Sequence, residues 1–419
     1  MIGERVGVLA EPLALDTEGL EALHRLCTAL AALRGHPGLL LALYDSPLLR
    51  DRLMAEIEAR LVDWRLRILD ASDAPPDLLP WLASEIPAGA DAVFVIDLKD
   101  LPTTAKYLNY RREILAHLPY PVVFWLPHDG EEELHSRAPD FWAFRRQTFR
   151  FRLFAPWLLQ VSQKVAETGI PAETPDNRRA GIALHRQLLA DLERTGAGET
   201  LLAARLHHHL GNLLRQEGFW AESRAELEQA LGLLEGAAGA DNRERAGVLY
   251  SLGLTLYYLD EYEQALAHYG QALELFRAVG DRLGEANTLQ AIGDVHNFRK
   301  EMDQALAHYG QALELFRAVG ARLGEANTLA GLSLLALRQG REEEARALLQ
   351  QAVDLHAAIG SRYGVAVDLG NFGLVLRDLG RPEEARPYLL QAAERFAQIG
   401  LPQLAAQALQ AAGIEVVER

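Results

Sequence analysis

Residues Gln264–Leu289 read QALAHYGQALELFRAVGDRLGEANTL, and Gln304–Leu329 read QALAHYGQALELFRAVGARLGEANTL. The second stretch starts 40 positions after the first, at 304 against 264, and differs only in Ala321 for Asp281. Self-similarity at this period marks stacked helical units. An array of that kind has no enclosed active site. It offers a long concave surface, which commonly binds other proteins.

The period runs beyond the two copies. Gly253, Gly293 and Gly373 share one register, with Ser333 in the intermediate slot. Ala265, Ala305, Ala345 and Ala385 share a second, and Ala272, Ala312, Ala352 and Ala392 a third. Between the alanines stand Tyr269, Tyr309, Leu349 and Leu389. A helix pair needs small residues where backbones approach and a large apolar residue to fill the remaining gap. Gly280, Gly320, Gly340, Gly360 and Gly380 mark helix ends, where a left-handed residue closes the last turn.

This pattern resembles the tetratricopeptide repeat family. The large residue four before each small one is Leu249, Leu289, Leu329 or Leu369, where the family prefers Trp. The unit of 40 residues is longer than the family's usual length of about 34, and the proline near the end of the second helix is missing. Both departures fit a longer-repeat branch. An earlier unit is marked by Leu210, Gly211, Gly218, Leu227 and Ala230, with Ser223 in place of its first alanine. The domain boundaries expected are an α/β module over 1–165, a linker over 166–178, an array of about five repeats over 179–403 and a closing helix within 404–419.

Composition sets outer limits. The 419 residues carry 42 Lys and Arg against 58 Asp and Glu, a formal charge of -16. Such a balance argues against nonspecific nucleic-acid binding, which needs cationic faces. No apolar run reaches membrane-spanning length, and the N-terminal MIGERVGVLAEPLALDTEG carries acidic residues without a long apolar core, so it does not read as a secretion signal. The single Cys27 has no internal disulfide partner and reads as a core thiol in a cytoplasmic setting.

The first 165 residues show no 40-residue period. Apolar runs at Leu39–Tyr44, Arg65–Leu69, Ala92–Leu98 and Pro121–Leu126 read as buried strands. Helical patterns fall between them at Thr17–Ala32, Pro47–Val62, Pro76–Glu85 and Tyr107–Leu118, and a last helix is expected around Glu131–Phe144. Alternation of this kind predicts a parallel sheet covered by helices on both faces. The turn after the first strand, Tyr44-Asp45-Ser46-Pro47, has no GxxxxGK[ST] and no lysine, and Asp45 would repel a phosphate. Asp97 ends an apolar strand in the manner of a magnesium-binding carboxylate. Leu108–Phe151 resembles the N-terminal module of bacterial STAND-type signalling and conflict proteins, which is similar to a P-loop NTPase. Without a phosphate loop, an enzyme is not expected.

Other clusters have plain structural readings. His207, His208 and His209 are successive, so on a helix they point about 100° apart and cannot share one ion; a metal would also need His185 or a carboxylate. The Phe149–Arg152 alternation reads as an edge strand. No serine–histidine–aspartate order, HExxH or paired CxxC is present.

The repeat resemblance implies where a groove lies. In the family, positions two before the large residue, and one, five and eight after it, face the concave wall. They give Arg205, His208, Asn212 and Arg215; then Gly247, Tyr250, Leu254 and Tyr257; then Asn287, Gln290, Asp294 and Asn297; then Asn327, Ala330, Leu334 and Leu337; and finally Val367, Gly370, Leu374 and Arg377. Amide side chains suit an extended peptide backbone, Tyr250 and Tyr257 suit an apolar anchor, and Arg205 and Arg215 suit a carboxylate. The expected function is a scaffold that binds a peptide or protein segment, with no cofactor, metal or membrane involved. Two other readings stand beside it: a nucleotide switch with Mg²⁺ at Asp97, and self-assembly through the repeated surfaces.

Overall fold

A computed structural model describes residues 13–86, 89–98, 100–168, 174–196, 200–236 and 241–414. The chain divides into two compact units, one ending at Glu217 and one beginning at Gly218. The N-terminal stretch 1–12, part of the expected linker (169–173) and the end of the expected closing helix (415–417) lie outside the described residues.

The first unit begins with α1 (Thr17–Ala32), β1 (Gly38–Tyr44), α2 (Pro47–Arg60), β2 (Leu66–Asp70), α3 (Leu78–Glu85) and β3 (Ala92–Ile96). It continues with α4 (Leu101–Arg111), β4 (Pro121–Pro127), α5 (Gly130–Arg137), α6 (Pro139–Phe144) and β5 (Gln147–Phe151). The five strands are all parallel, in the order β2-β3-β4-β1-β5. Strands β1 and β3 are buried along their whole length, and β4 all but its last residue, which is why they read as unbroken apolar runs. One face packs Phe94, Trp125, Phe149 and Phe151 against α1 and α2. The other packs Leu41, Val95 and Phe124 against Leu78 of α3, Leu108 of α4, Leu134 of α5 and Phe141 of α6. The expected edge strand is β5. Its Phe149 and Phe151 point inward while Arg150 reaches out to Glu131, at 3.2 Å from Nε. Cys27 is half-buried against the first of these cores, and burial raises its thiol pKa.

Several expected boundaries shift, and two of the shifts have a backbone cause. Strand β3 stops at Ile96 rather than Leu98, because Asp97 takes a left-handed φ of 54° that no strand continues. The helix expected over Tyr107–Leu118 instead starts at Leu101. Asp100 caps it, accepting from Thr103 N at 3.2 Å, and Pro102 occupies its first turn. It then tightens into a 3-10 turn over Arg112–His117, where the Arg112 guanidinium donates to the Asn109 carbonyl at 2.6 Å.

Three helices complete the unit: α7 (Ala155–Thr168), α8 (Pro175–Thr195) and α9 (Thr200–Gln216). Trp157, Leu158 and Val161 of α7 pack with Leu184 and Leu188 of α8, Leu202 and Leu206 of α9, and Leu48 of α2. The turn after β1 is filled from within. Ser46 caps α2 through Leu48 N at 3.2 Å and donates to the buried Asp191 carboxylate of α8 at 2.5 Å.

The second unit is a run of helices on a 20-residue beat: α10 (Trp220–Gly236), α11 (Asn242–Tyr258), α12 (Tyr262–Ala278), α13 (Arg282–Phe298) and α14 (Met302–Val319). It ends with α15 (Arg322–Arg338), α16 (Glu342–Ala358), α17 (Arg362–Asp378), α18 (Pro382–Gln398) and α19 (Pro402–Ala411). The helices pair as hairpins, α11 with α12 through α17 with α18. Each hairpin closes where the sequence predicts. A methyl built on Gly253 would lie 2.5 Å from Tyr269, one on Gly293 2.6 Å from Tyr309, and one on Gly373 2.7 Å from Leu389. The alanines of both registers are buried. The first helices also touch one another, α11 with α13, α13 with α15 and α15 with α17, more closely than the second helices do. The first helices therefore form the inner wall of this unit.

The single difference between the near-copies falls on a helix start. Asp281 caps α13, accepting from Gly284 N at 2.9 Å, whereas Ala321 gives α15 no side-chain cap. Replacing Ala321 with Asp is expected to stabilise the protein by about 1 kcal/mol, and Asp281→Ala to destabilise it by a similar amount. Shifts of the denaturation midpoint in opposite directions check this; equal midpoints would contradict the capping assignment.

Candidate functional site

The inner wall of the second unit carries a small cavity of about 200 Å³. Three successive first helices supply it. Tyr250 and Leu254 come from α11, Asn287, Gln290, Ala291 and Asp294 from α13, and Leu323, Gly324 and Asn327 from α15. Helical spacing explains the convergence: residues three and four apart, such as Asn287, Gln290 and Asp294, stack on one face. The third residue of α15 is Gly324 because Phe316 of α14 sits beneath it and leaves no room for a side chain.

Asp294 is the chemical centre of this cavity. Its Oδ1 accepts from the Tyr309 hydroxyl at 2.6 Å, and Gln290 also bonds it. Both partners are neutral. Burial pushes its pKa up to about 6, with the two hydrogen bonds pulling the other way. The Tyr309 hydroxyl is raised well above its usual value, by burial first and by the neighbouring carboxylate second.

Asn327 is held from behind. Its Oδ1 lies 3.1 Å from Nε2 of His356, whose Nδ1 lies 2.9 Å from Asp368 Oδ2. Asn327 is exposed and lines the cavity, so its contact with His356 leaves part of the amide free to meet a ligand. His356 and Asp368 are buried, and burial raises the Asp368 pKa. This pair was not anticipated from sequence. The signal was present in the repeat register: His356 stands where Phe276, Phe316 and Phe396 stand, and Asp368 where Thr288 and Thr328 stand.

Of the twenty positions expected at the groove, Tyr250, Leu254, Asn287, Gln290, Asp294 and Asn327 are brought together here. Tyr257 and Asn297 are not. Tyr257 packs among Tyr258, Tyr262 and Phe298, and burial lifts its pKa to about 12. The Asn297 side-chain oxygen accepts from the Arg338 guanidinium. Arg205, His208, Asn212 and Arg215 lie on α9, in the first unit, where Arg215 Nη2 donates to Asn212 Oδ1 at 3.5 Å. Farther along the second unit, Val367, Gly370, Leu374 and Arg377 line a larger cavity of about 620 Å³ with α19.

The α/β module holds a larger cleft, about 920 Å³, at the carboxyl ends of β1, β3 and β4. Its rim carries Asp97, Asp129, Glu132, Glu133 and Arg137. Asp97 is already paired, accepting from the buried Arg50 at 2.6 Å. The histidines do not gather: His185 and His209 face each other at 6.0 Å, with His185 Nδ1 on the Gly181 carbonyl and burial lowering its pKa to about 4. Among the described residues, no group of three or more His, Cys, Asp and Glu could hold a metal ion, and no helix is long and apolar enough to cross a membrane.

The raised pKa of Asp294 has a signed consequence. Between about pH 4 and 6 the folded chain keeps a proton that the unfolded chain releases, so this group's contribution to stability falls as pH rises. Asp294→Asn keeps the Tyr309 hydrogen bond and removes that slope. The variant's stability relative to wild type is expected to rise by about 2 kcal/mol from pH 4.5 to 7. A pH-independent difference in denaturation free energy would contradict it.

Residues 202–278, 244–318, 284–358 and 324–398 each match the tetratricopeptide repeat family model. No curated protein matches the chain. Among solved structures, aspartyl phosphate phosphatase F from Bacillus subtilis is 10% identical, with a TM-score of 0.45, over 98% of this chain and 99% of that one. A Rap protein complexed with competence and sporulation factor is 14% identical, with a TM-score of 0.47, over 94% of this chain and 95% of that one. BtubC (BKLC) from P. vanneervenii is 16% identical, with a TM-score of 0.44, over 59% of this chain and 96% of that one. At TM-scores below 0.5, nothing about site or partner rests on these likenesses. The family matches and the hairpin geometry agree: residues 202–398 are an array of tetratricopeptide repeats.

Proposed function

We propose that the inner wall of the repeat array captures an extended segment of another protein, and that the chain acts as a scaffold in bacterial signalling rather than as an enzyme. The observation that carries this reading is the meeting of Tyr250, Asn287, Gln290, Asp294 and Asn327, from three helices, in one cavity. A volume of about 200 Å³ is below the range of about 300–1,000 Å³ typical of small-molecule pockets, and it suits one side chain of a longer ligand. Amides at its rim suit a peptide backbone. The α/β module would couple capture to assembly.

A photo-crosslinking amino acid at Asn327 is expected to trap a partner protein in cells, and the same group at Glu314, exposed on the second helix α14, is expected not to. Equal labelling from both positions would refute an inner-wall site.

The cleft of the α/β module supports a second reading, a nucleotide site with Asp97 on Mg²⁺, since ligands of open parallel sheets bind beyond the carboxyl ends of the strands. Charge weighs against it. Asp97, Asp129, Glu132 and Glu133 oppose a polyanion, and the turn that would cradle phosphate holds Asp45 with Asp191 bonded to Ser46. Calorimetry with Mg-ATP and Mg-GTP at millimolar concentration is expected to show no binding heat, and a saturable heat lost in Asp97→Asn would establish the rival.

A further inference from the structure

The repeats of the second unit act as controls for one another, and Asp294 is the position where they disagree most sharply in chemistry. Leu254, Leu334 and Leu374 occupy its register in the neighbouring hairpins, and all four residues are half-buried. Leucine therefore satisfies the packing at this place in the fold. A carboxylate there costs desolvation that leucine does not. Its two partners, Tyr309 and Gln290, offset part of that cost without supplying a cation. The surrounding cavity is open to the inner wall and large enough for one long side chain.

We propose that this cavity is the specificity pocket of the groove, and that it takes the lysine or arginine side chain of a bound protein segment, with Asp294 as the counter-ion. The proposal rests on the reading of the inner wall as a peptide groove, and it adds the chemistry that the groove selects. A cation entering the pocket finds a carboxylate whose neutral partners leave it short of charge compensation, and the hydrogen bond gains strength from ionisation on both sides. The aliphatic stem of such a side chain is long enough to lie against Leu254 and Leu323 while its head reaches Asp294. Tyr250 borders the same space and brings an aromatic ring within reach of the cation. Asn327, held by His356, offers the free part of its amide to the main chain of the same segment. The chain's formal charge of -16 favours encounter with basic segments in general; the pocket fixes one residue of them in place.

The test uses the full chain, immobilised, and a pool of random decapeptides with acetylated N-termini, so that an α-amino group cannot stand in for a side chain. Retained peptides are sequenced by mass spectrometry. Wild-type protein is expected to enrich Lys or Arg at one peptide position by about tenfold over the input pool. Asp294→Leu, which carries the residue of the sibling repeats, is expected to retain peptides but to replace that preference with an apolar one. Circular dichroism and the thermal midpoint confirm that it folds. Retention by wild-type protein without a basic position, or an unchanged basic preference in Asp294→Leu, overturns the specificity pocket and leaves the groove standing. Retention of no peptide by either protein overturns the groove reading and this inference together.

Discussion

Three of the four hairpins from α11 to α18 are held by one large side chain pressed onto a glycine, and the fourth has the small Ser333 at that place. Tyr269 lies on Gly253, Tyr309 on Gly293 and Leu389 on Gly373. The close approach brings the two backbones together, and the flanking alanines let it continue along the pair. Everything on the inner wall follows from this contact. The first helix of each hairpin is fixed in rotation by it, so the residues on the opposite face must look inward. The Tyr309 hydroxyl extends the same contact to the site, because the ring that fills the hairpin also bonds Asp294. Packing and chemistry thus share one side chain.

The array was legible in the sequence because its contacts repeat every 40 residues, and a repeated requirement leaves a repeated letter. The central strands were legible for a different reason: β1, β3 and β4 are covered on both faces, so their side chains lose the polar alternation of a half-exposed strand. The start of α4 was less so. It depends on two aspartates with left-handed backbone, Asp97 and Asp100, and nothing in the residue type announces that conformation. At the site, six of the expected groove positions meet, because their inward direction follows from the helix period alone. Tyr257 and Asn297 have the right direction but are taken up by neighbours from other helices, Phe298 and Arg338, which a pattern within one helix does not reveal.

His356 and Asp368 illustrate a further limit. A single histidine in a helix is unremarkable as a letter. Set against Phe276, Phe316 and Phe396, it becomes a substitution of a buried ring by a polar one, matched by an acid where the two preceding hairpins carry Thr288 and Thr328. The two changes compensate each other, as buried polar groups must. Departures from the repeat thus single out positions that the repeat itself hides: Asp294 lines the cavity directly, and the His356–Asp368 pair reaches it through Asn327.

The missing cap on α15 makes the two sides of that cavity unequal. Leu323, Gly324 and Asn327 lie in the first two turns of α15, close to Ala321, while the facing residues Asn287, Gln290 and Asp294 stand on α13, whose start Asp281 ties down. Opening the first turn of α15 breaks one fewer hydrogen bond than opening that of α13. The charged side of the cavity is therefore anchored at its helix start and the opposite side is not, and a guest of the kind proposed above would meet a stricter fit at Asp294 than at Leu323.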